Sequence, residues 1–334
     1  MSRLHDLLLQ QGRQSLLTDA ETNQDHRAIL AAANYLSDES NDAYFLFAGW
    51  ALSGLPHRRI PDEREWRIET DYVTLLVEPG RRPQANGENP HVGVPYGTRA
   101  RLIMLYLQTE ALRTNSREIA LGGSLRAWMS RLGIAVGGRS LKEVRDQADR
   151  ISRCRLTFHM TRNGRTSLVN QNIVDTAMFL DDTGTTQGQG KLFLEVAKLS
   201  EGFFDQLKKH PVPVEEAAIR QLNNNSMALD IYCWLAYRLH SLKGPTKLTW
   251  TAIFKQFGAG FSLMKHFKPE FLNNLQLALA VYPAANVSLD DHDSSLTIYP
   301  SPSPVAKRLI AVSDNLQHTG GSAANLRLAA KALG

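Results

Sequence analysis

The stretches SLRAWMSRLGI (124–134) and TWTAIFKQFGA (249–259) share one eleven-residue pattern, 125 residues apart. Each opens on a hydroxyl residue, carries alanine fourth (Ala127, Ala252) and glycine tenth (Gly133, Gly258), and sets apolar residues second, fourth, fifth, sixth and ninth. Polar residues fall third, seventh and eighth. A repeat at this distance implies two similar domains, since solenoid repeats run to roughly 20–50 residues. A chain of 334 residues is long enough to give each a core of its own.

The surroundings of the two copies keep the same order. In the first, Thr98 is the expected N-cap of a helix through RARLIMLYLQTEALRT. A second helix spans about 124–132, ended by Gly133 in a left-handed conformation. A third follows in RSLKEVRDQADRISR (139–153), where Leu141, Val144, Ala148 and Ile151 recur at steps of three and four and form one buried stripe. RLTFHM and TSLVNQNIVDTAMFL then flank Asn163-Gly164, a strong hairpin signal. In the second half the helices are expected at 226–242, in TWTAIFKQF and at 267–282, with Pro269 in the first turn of the last. VSLDDHDSSLTIYP supplies two short strands around a polar turn.

This order predicts an α+β chain built as two tandem winged helix-turn-helix domains, mainly helical, with β-hairpin wings. Residues 1–22 read as a polar, mobile N-terminal segment. The first winged-helix domain, with an N-terminal helix and strand extension, is set at 23–183, and the second at 190–300. Between them DDTGTTQGQG (181–190) has the composition of a linker, and 301–334 that of a flexible tail. RRPQANGENPHVGVPYG (81–97) reads as an exposed loop, which either binds or connects.

Composition bounds the function. Hydrophobic residues make up 43% and charged residues 21%, values of a globular protein and not of a disordered one. The longest apolar run, AYFLFAGWALSGL (43–55), is too short for a bilayer span of about 20 residues. The N-terminus has no signal-peptide pattern, and Cys154 and Cys233 have no disulfide or metal spacing, so a reducing, cytoplasmic compartment is expected. Net charge is +5, yet residues 98–165 carry 14 Lys or Arg against 5 Asp or Glu. A positive field so concentrated suits a polyanion.

Enzyme signatures do not hold together. GTTQGQGK (184–191) lacks the first glycine and the final hydroxyl of a phosphate loop. DDHD (290–293) lies in an expected turn, where aspartate is common for backbone reasons, and no histidine pair has the spacing of a zinc hydrolase. The expectation is a non-enzymatic protein with no metal and no cofactor.

Duplex DNA fits better. With the apolar stripe of 139–153 turned inward, Arg139, Lys142, Arg150 and Arg153 point outward and Arg145 lies at the flank, ready for guanine edges or phosphates. Glu143 and Asp146 share this surface, as salt-bridge partners, acceptors from cytosine, or solvated charges. Arg126 and Arg131 on the second helix suit the backbone, and Arg155, His159, Arg162 and Arg165 on the hairpin suit phosphates or the minor groove. In the second half, Lys265, His266, Lys268, Asn273 and Asn274 are the candidates, asparagine being able to pair bidentately with adenine.

VPYGTRARLIMLYLQTEALRTNSREIALGGSLRAWMSRLGI (94–134), with GLPHRR and VTLLVEPG upstream and RDQADRISRCRLTF and ALDIYCWLAYRL downstream, resembles the plasmid-encoded RepA family of replication initiators. The likeness covers roughly residues 40 to 300. It implies an initiator that binds direct repeats (iterons) in double-stranded origin DNA, opens the duplex and recruits the host replicative helicase and initiator proteins. It also implies exchange between homodimer and monomer, repression of the protein's own gene and thereby copy control. A transcriptional repressor without initiator activity, or a DNA-nicking initiator, would use the same scaffold.

Overall fold

The helix expected after Thr98 is apolar nearly all round, the mark of a helix buried on every side. It becomes the centre of the fold. The computed structural model describes residues 3–40, 42–71, 73–120, 130, 134, 137–162, 165–180, 193–290 and 295–305. The chain opens with α1 (Arg3–Thr18) and α2 (Asn23–Ser37), then β1 (Ala43–Phe47), α3 (Ala48–Leu52), β2 (Trp66–Glu69), β3 (Val73–Glu78), β4 (Gly80–Arg81) and β5 (His91–Gly93). The central α4 (Gly97–Thr114) follows, burying Leu102, Ile103, Leu105, Tyr106 and Leu107. Next come β6 (Glu118–Ala120), α5 (Gly138–Arg153), β7 (Arg155–Arg162), β8 (Arg165–Asn172), β9 (Val174–Leu180) and β10 (Phe193–Leu199). The remainder is α6 (Glu201–Lys209), β11 (Pro211–Glu215), α7 (Glu216–Leu222), α8 (Ser226–Arg238), β12 (Thr246–Thr249), α9 (Trp250–Phe257), α10 (Met264–Ala280), β13 (Val287–Leu289) and β14 (Ser295–Ile298). Mixed helix and antiparallel strand make this an α+β fold.

The hairpin around 163–164 is present: β7 pairs with β8 from Arg155↔Asn172 to Arg162↔Arg165, and β3 and β2 extend it to a four-stranded sheet. The run 166–180, read as one strand, is two. The buried Ile173 separates β8 from β9, and β9 joins a second sheet in the order β6-β10-β9. In residues 226–298 the elements run helix, strand, helix, helix, strand, strand, with the strands ordered β12-β14-β13. The second copy of the repeated pattern is α9, N-capped by the Thr249 side chain, which accepts from Ala252 N at 3.2 Å. Its closing Gly258 has φ −93°, so no left-handed turn demands glycine. A Cβ there would instead press on the Phe254 carbonyl at 2.6 Å. In the first copy only Ser130 and Ile134 are described, and the linker 181–190 and most of the DDHD turn also lie outside the described residues.

Several expectations change. Residues 3–18 form a packed helix broken by a kink at Gly12 (φ 77°), because Leu8 and Leu16 are buried and His5 Nε2 donates to Ala280 O at 2.8 Å. The N-cap of α4 is Tyr96 and not Thr98: Tyr96 N donates to Gln147 Oε1 at 2.8 Å and Gly97 N to Pro56 O at 2.8 Å, so tertiary acceptors replace a capping side chain. The helix α10 begins at Met264, which puts Pro269 in its second turn. The start of the expected tail is pinned, with Ser301 N donating to Leu239 O at 3.1 Å and Tyr282 Oη to Pro302 O at 2.6 Å.

Elements from both expected domains share one compact unit that runs to Pro304. β1 pairs with β11 from Ala43↔Glu215 to Phe47↔Pro211, and α1 and α2 belong with α10. The strongest polar tie joins α4 to α8. Arg101 donates from Nε and Nη2 to the two carboxylate oxygens of Asp230, each at 2.6 Å, and its remaining donors reach Leu55 O, Gly97 O and Pro56 O at 2.7, 2.9 and 3.2 Å. Burial pushes the Asp230 carboxyl up, and the bidentate guanidinium opposes it. Loss of one partner from such a buried pair costs about 3–5 kcal/mol.

His57 sits beside this pair, its Nδ1 3.0 Å from Ser226 Oγ and 3.4 Å from Arg101 Nη2. Burial, with the positive charges of Arg101 and Arg58, lowers its pKa to about 3. Burial also holds His5 below the ordinary histidine value. The unfolded chain therefore takes up a proton on the His57 ring near pH 6.5 that the folded chain refuses until about pH 3. Stability should fall as pH drops through this window, by at most about 1.4 kcal/mol per pH unit for His57. Urea unfolding across the range, repeated with His57→Asn, should show a shallower acid limb in the variant; identical slopes would contradict the assignment.

Candidate nucleic-acid interface

Helix α5 carries most of the candidate residues, and its two halves do different work. Val144, Ala148 and Ile151 are buried as the spacing requires, packed towards α4. The N-terminal half turns the opposite way. The Arg139 side chain is 93% exposed, and Lys142 and Arg145 are exposed with it. Steps of three place these cations on one ridge, about 9 Å long at 1.5 Å rise per residue. The major groove is about 12 Å wide and admits such a helix.

The acids on this helix are already neutralised. Glu143 accepts from Arg139 Nε at 3.1 Å and lies 3.6 Å from Arg99 Nε. Asp146 pairs with Arg150 at 2.9 Å. Asp149 pairs with Arg153 at 2.8 Å and also with Arg82. Lys142 and Arg145 form no ion pair with a described residue, so the surface of the N-terminal half is cationic. The exposed Arg139–Glu143 pair is of the weak kind, and its guanidinium is readily given to a stronger anion.

Arg150 is a correction. Expected to point outward, its side chain is 3% exposed, with Nη1 3.1 Å from Asp62 Oδ1 and the guanidinium 5.2 Å from the Tyr96 ring centroid. Its place at the edge of the buried stripe lets residues 59–62 and 91–96 close over it. Burial pushes the Asp62 carboxyl up, but the hydrogen bonds from Arg59 and Arg150 outweigh this and hold it below the usual carboxylate range. Gly93 has φ +79°, and a Cβ there would overlap Arg150 Nη1 and Asp62 Oδ1. Arg150 thus anchors the chain leading into α4. Arg153 is partly exposed and donates to Arg81 O at 3.2 Å.

Arg162 and Arg165 are register partners at the tip of the β7–β8 hairpin, with their side chains outside the described set. Arg126 and Arg131 lie outside the described residues. In α10, Lys265 and His266 are exposed in the first turn, and Lys268 Nζ stands 5.0 Å from the Trp250 ring centroid. Asn273 is exposed, but its carbonyl accepts from Gln24 of α2. Asn274 is the second correction. It is 3% exposed, and its Nδ2 donates to Glu270 O at 2.7 Å and reaches Met227 Sδ at 3.5 Å, because this part of α10 is packed against α8 and α2. It cannot read a base without unfolding its neighbours.

Sequence reasoning did not single out Arg82, which sits in the 81–97 stretch read as an exposed loop that either binds or connects. Burial pushes the Cys154 thiol up to about 12 and raises that of Cys233 further, so both are packing groups. Among the described residues no group of His, Cys, Asp and Glu is placed to hold a metal ion, and no helix is long and apolar enough to cross a membrane.

Residues 94–252, from just after β5 into the first turn of α9, match the family described as plasmid encoded RepA protein. This stretch, a little under half of the chain, is similar to the RepA family. The matched segment contains Arg101, Asp230 and the whole of α5. No curated protein matches the chain. Among solved structures it is similar to two crystal structures of RctB domains 2 and 3. One, a selenomethionine derivative, has TM-score 0.49 and 10% identity over 75% of this chain and 97% of that one. The other has TM-score 0.47 and 9% identity over 81% and 99%.

The two halves of α5 should separate in mutagenesis. Arg150→Ala removes a buried side chain together with its contacts to Asp62, Asp146 and Tyr96 and should lower unfolding stability by about 2–4 kcal/mol, while Lys142→Ala stays within about 0.5 kcal/mol of the parent. Urea denaturation reads both, and equal losses would contradict the division.

Proposed function

We propose that the protein is a non-enzymatic initiator of plasmid replication. It binds double-stranded origin DNA sequence-specifically at direct repeats, helps to open the duplex and recruits the host replicative helicase and initiator proteins. The observation that carries the reading is the ridge of Arg139, Lys142 and Arg145: three exposed cations on one helix of the matched segment, on which every acid is paired internally.

In this reading the segments 97–180 and 226–298 act as winged helix-turn-helix modules, α5 and α10 being their recognition helices and the β7–β8 and β13–β14 hairpins their wings. The order helix, strand, helix, helix, strand, strand in the second segment supports it. The planar fork of arginine suits the two acceptors of a guanine edge, and lysine suits phosphates. The second module offers Lys265, His266 and Asn273 at a less cationic surface. Recognition helices set one turn apart, about 34–36 Å, cover roughly 20 base pairs and read a direct repeat without two-fold symmetry. The protein works in the cytoplasm, on plasmid DNA.

Binding to a duplex from the plasmid origin, followed by fluorescence anisotropy, tests the reading. Log K should fall with log salt by about 0.9 per phosphate neutralised. Arg139→Ala, Lys142→Ala or Arg145→Ala should each weaken specific binding by about 1–3 kcal/mol where the side chain meets a base. Parent-like affinity in all three variants overturns the placement of the recognition helix.

A further inference from the structure

The β4–β5 hairpin, residues 80–93, belongs to the same face of the molecule as the cationic ridge. Along α5 the positions Lys142, Arg145, Asp149 and Arg153 follow at steps of three or four and share one face. The first two are open to solvent, and the last two carry the hairpin. Arg82 pairs with Asp149, and Arg153 Nη1 donates to Arg81 O at 3.2 Å. The contact is close: a Cβ at Gly80 would overlap the Arg153 carbonyl, as one at Gly93 would overlap Arg150.

The tip beyond this base has a fixed shape. Gln84 N donates to Glu88 O at 2.9 Å, Gly87 N to Gln84 O at 3.0 Å and Arg82 N to Pro90 O at 3.0 Å. Arg81 Nη1 donates to Asn89 O at 3.0 Å, which keeps an exposed guanidinium on the rim of the hairpin. Residues 81–90 are all exposed and carry Arg81 and Arg82 against a single acid, Glu88. Its apolar residues are Pro83, Ala85 and Pro90, with no large hydrophobic side chain to anchor a protein partner. What is offered is a rigid, polar, cationic projection at the C-terminal end of a helix whose N-terminal end carries the ridge.

We infer that this hairpin is a third DNA-contacting element, a clamp that lies on the phosphate backbone flanking the groove entered by α5. Arg81 meets the phosphate, and Arg82 is a positioning residue that keys the hairpin to the helix through Asp149. The inference rests on the DNA-binding reading above and adds a contact to it. A duplex laid along the exposed half of α5 runs next into the covered half, where the hairpin stands. Its electrostatic character predicts a contact that is independent of base sequence.

The test compares the full-length parent with Arg81→Ala and Arg81→Lys, using an origin duplex and an arbitrary-sequence duplex at low salt. Arg81→Ala should weaken both complexes by a similar factor, about threefold to tenfold, and make the slope of log K against log salt less negative by about 0.9. Hydroxyl-radical footprints on the origin duplex should lose protection at one flank and keep the centre. Arg81→Lys should restore the slope, which a purely structural role for Arg81 would not achieve. An unchanged slope and footprint in Arg81→Ala, while Lys142→Ala loses affinity, overturns the clamp and leaves the α5 reading intact. A parent that binds neither duplex overturns both.

Discussion

The buried pair of Arg101 and Asp230 sets the geometry on which everything else depends. It joins α4, the helix that leads to α5, to α8, the first helix of the later segment. A buried ion pair is weak evidence for added stability, because taking both charges from water offsets much of their attraction. Its effect here is on arrangement. The five donors of Arg101 are spread over Asp230 and the carbonyls of Leu55, Pro56 and Gly97, so one side chain fixes the entry of α4, the segment 54–57 and the face of α8 together. The pairing of β1 with β11 works in the same direction. Two proposed reading heads held this way do not search for each other through a flexible tether, and their spacing is a property of the fold. Such preorganisation strengthens the second contact by lowering its entropic cost.

The same economy appears in α5. Its C-terminal half is committed to structure through Arg150 on Asp62, Gln147 on the Tyr96 backbone, and Asp149 and Arg153 on the 80–93 hairpin. Its N-terminal half begins at the exposed Gly137 and Gly138 and is left with cations facing solvent. A recognition element must be held rigidly by residues that do not themselves meet the ligand. In this helix the holding and the meeting residues are neighbours in sequence, and that is why composition alone could not separate them.

Elements whose signal is local were legible. The stripe Val144, Ala148, Ile151 gave the inward face of α5, and Asn163-Gly164 marked the β7–β8 hairpin, because both depend on spacing within a few residues. Arg150 and Asn274 were misread for one reason: each lies at the margin of an apolar stripe, where a partner 88 residues away (Asp62) or a packed neighbour 47 residues away (Met227) decides exposure. The strands β4 and β5 were hidden by glycine and proline in a stretch that looks like loop, and β11 by its two prolines. The cap of α4 was misplaced because its acceptors, Gln147 and Pro56, come from other parts of the chain.

Lys142 offers the most direct test of the central claim, that the exposed half of α5 enters the major groove. Cys154 and Cys233 are buried, with both thiols shifted up, so Lys142→Cys supplies one accessible site for an iron-chelate DNA-cleaving label. With the labelled protein bound to an origin duplex, strand cuts should cluster within the bound repeat and disappear when excess unlabelled protein displaces it. A bound complex whose duplex is cut no more than an unlabelled control would place α5 away from the groove and contradict the account.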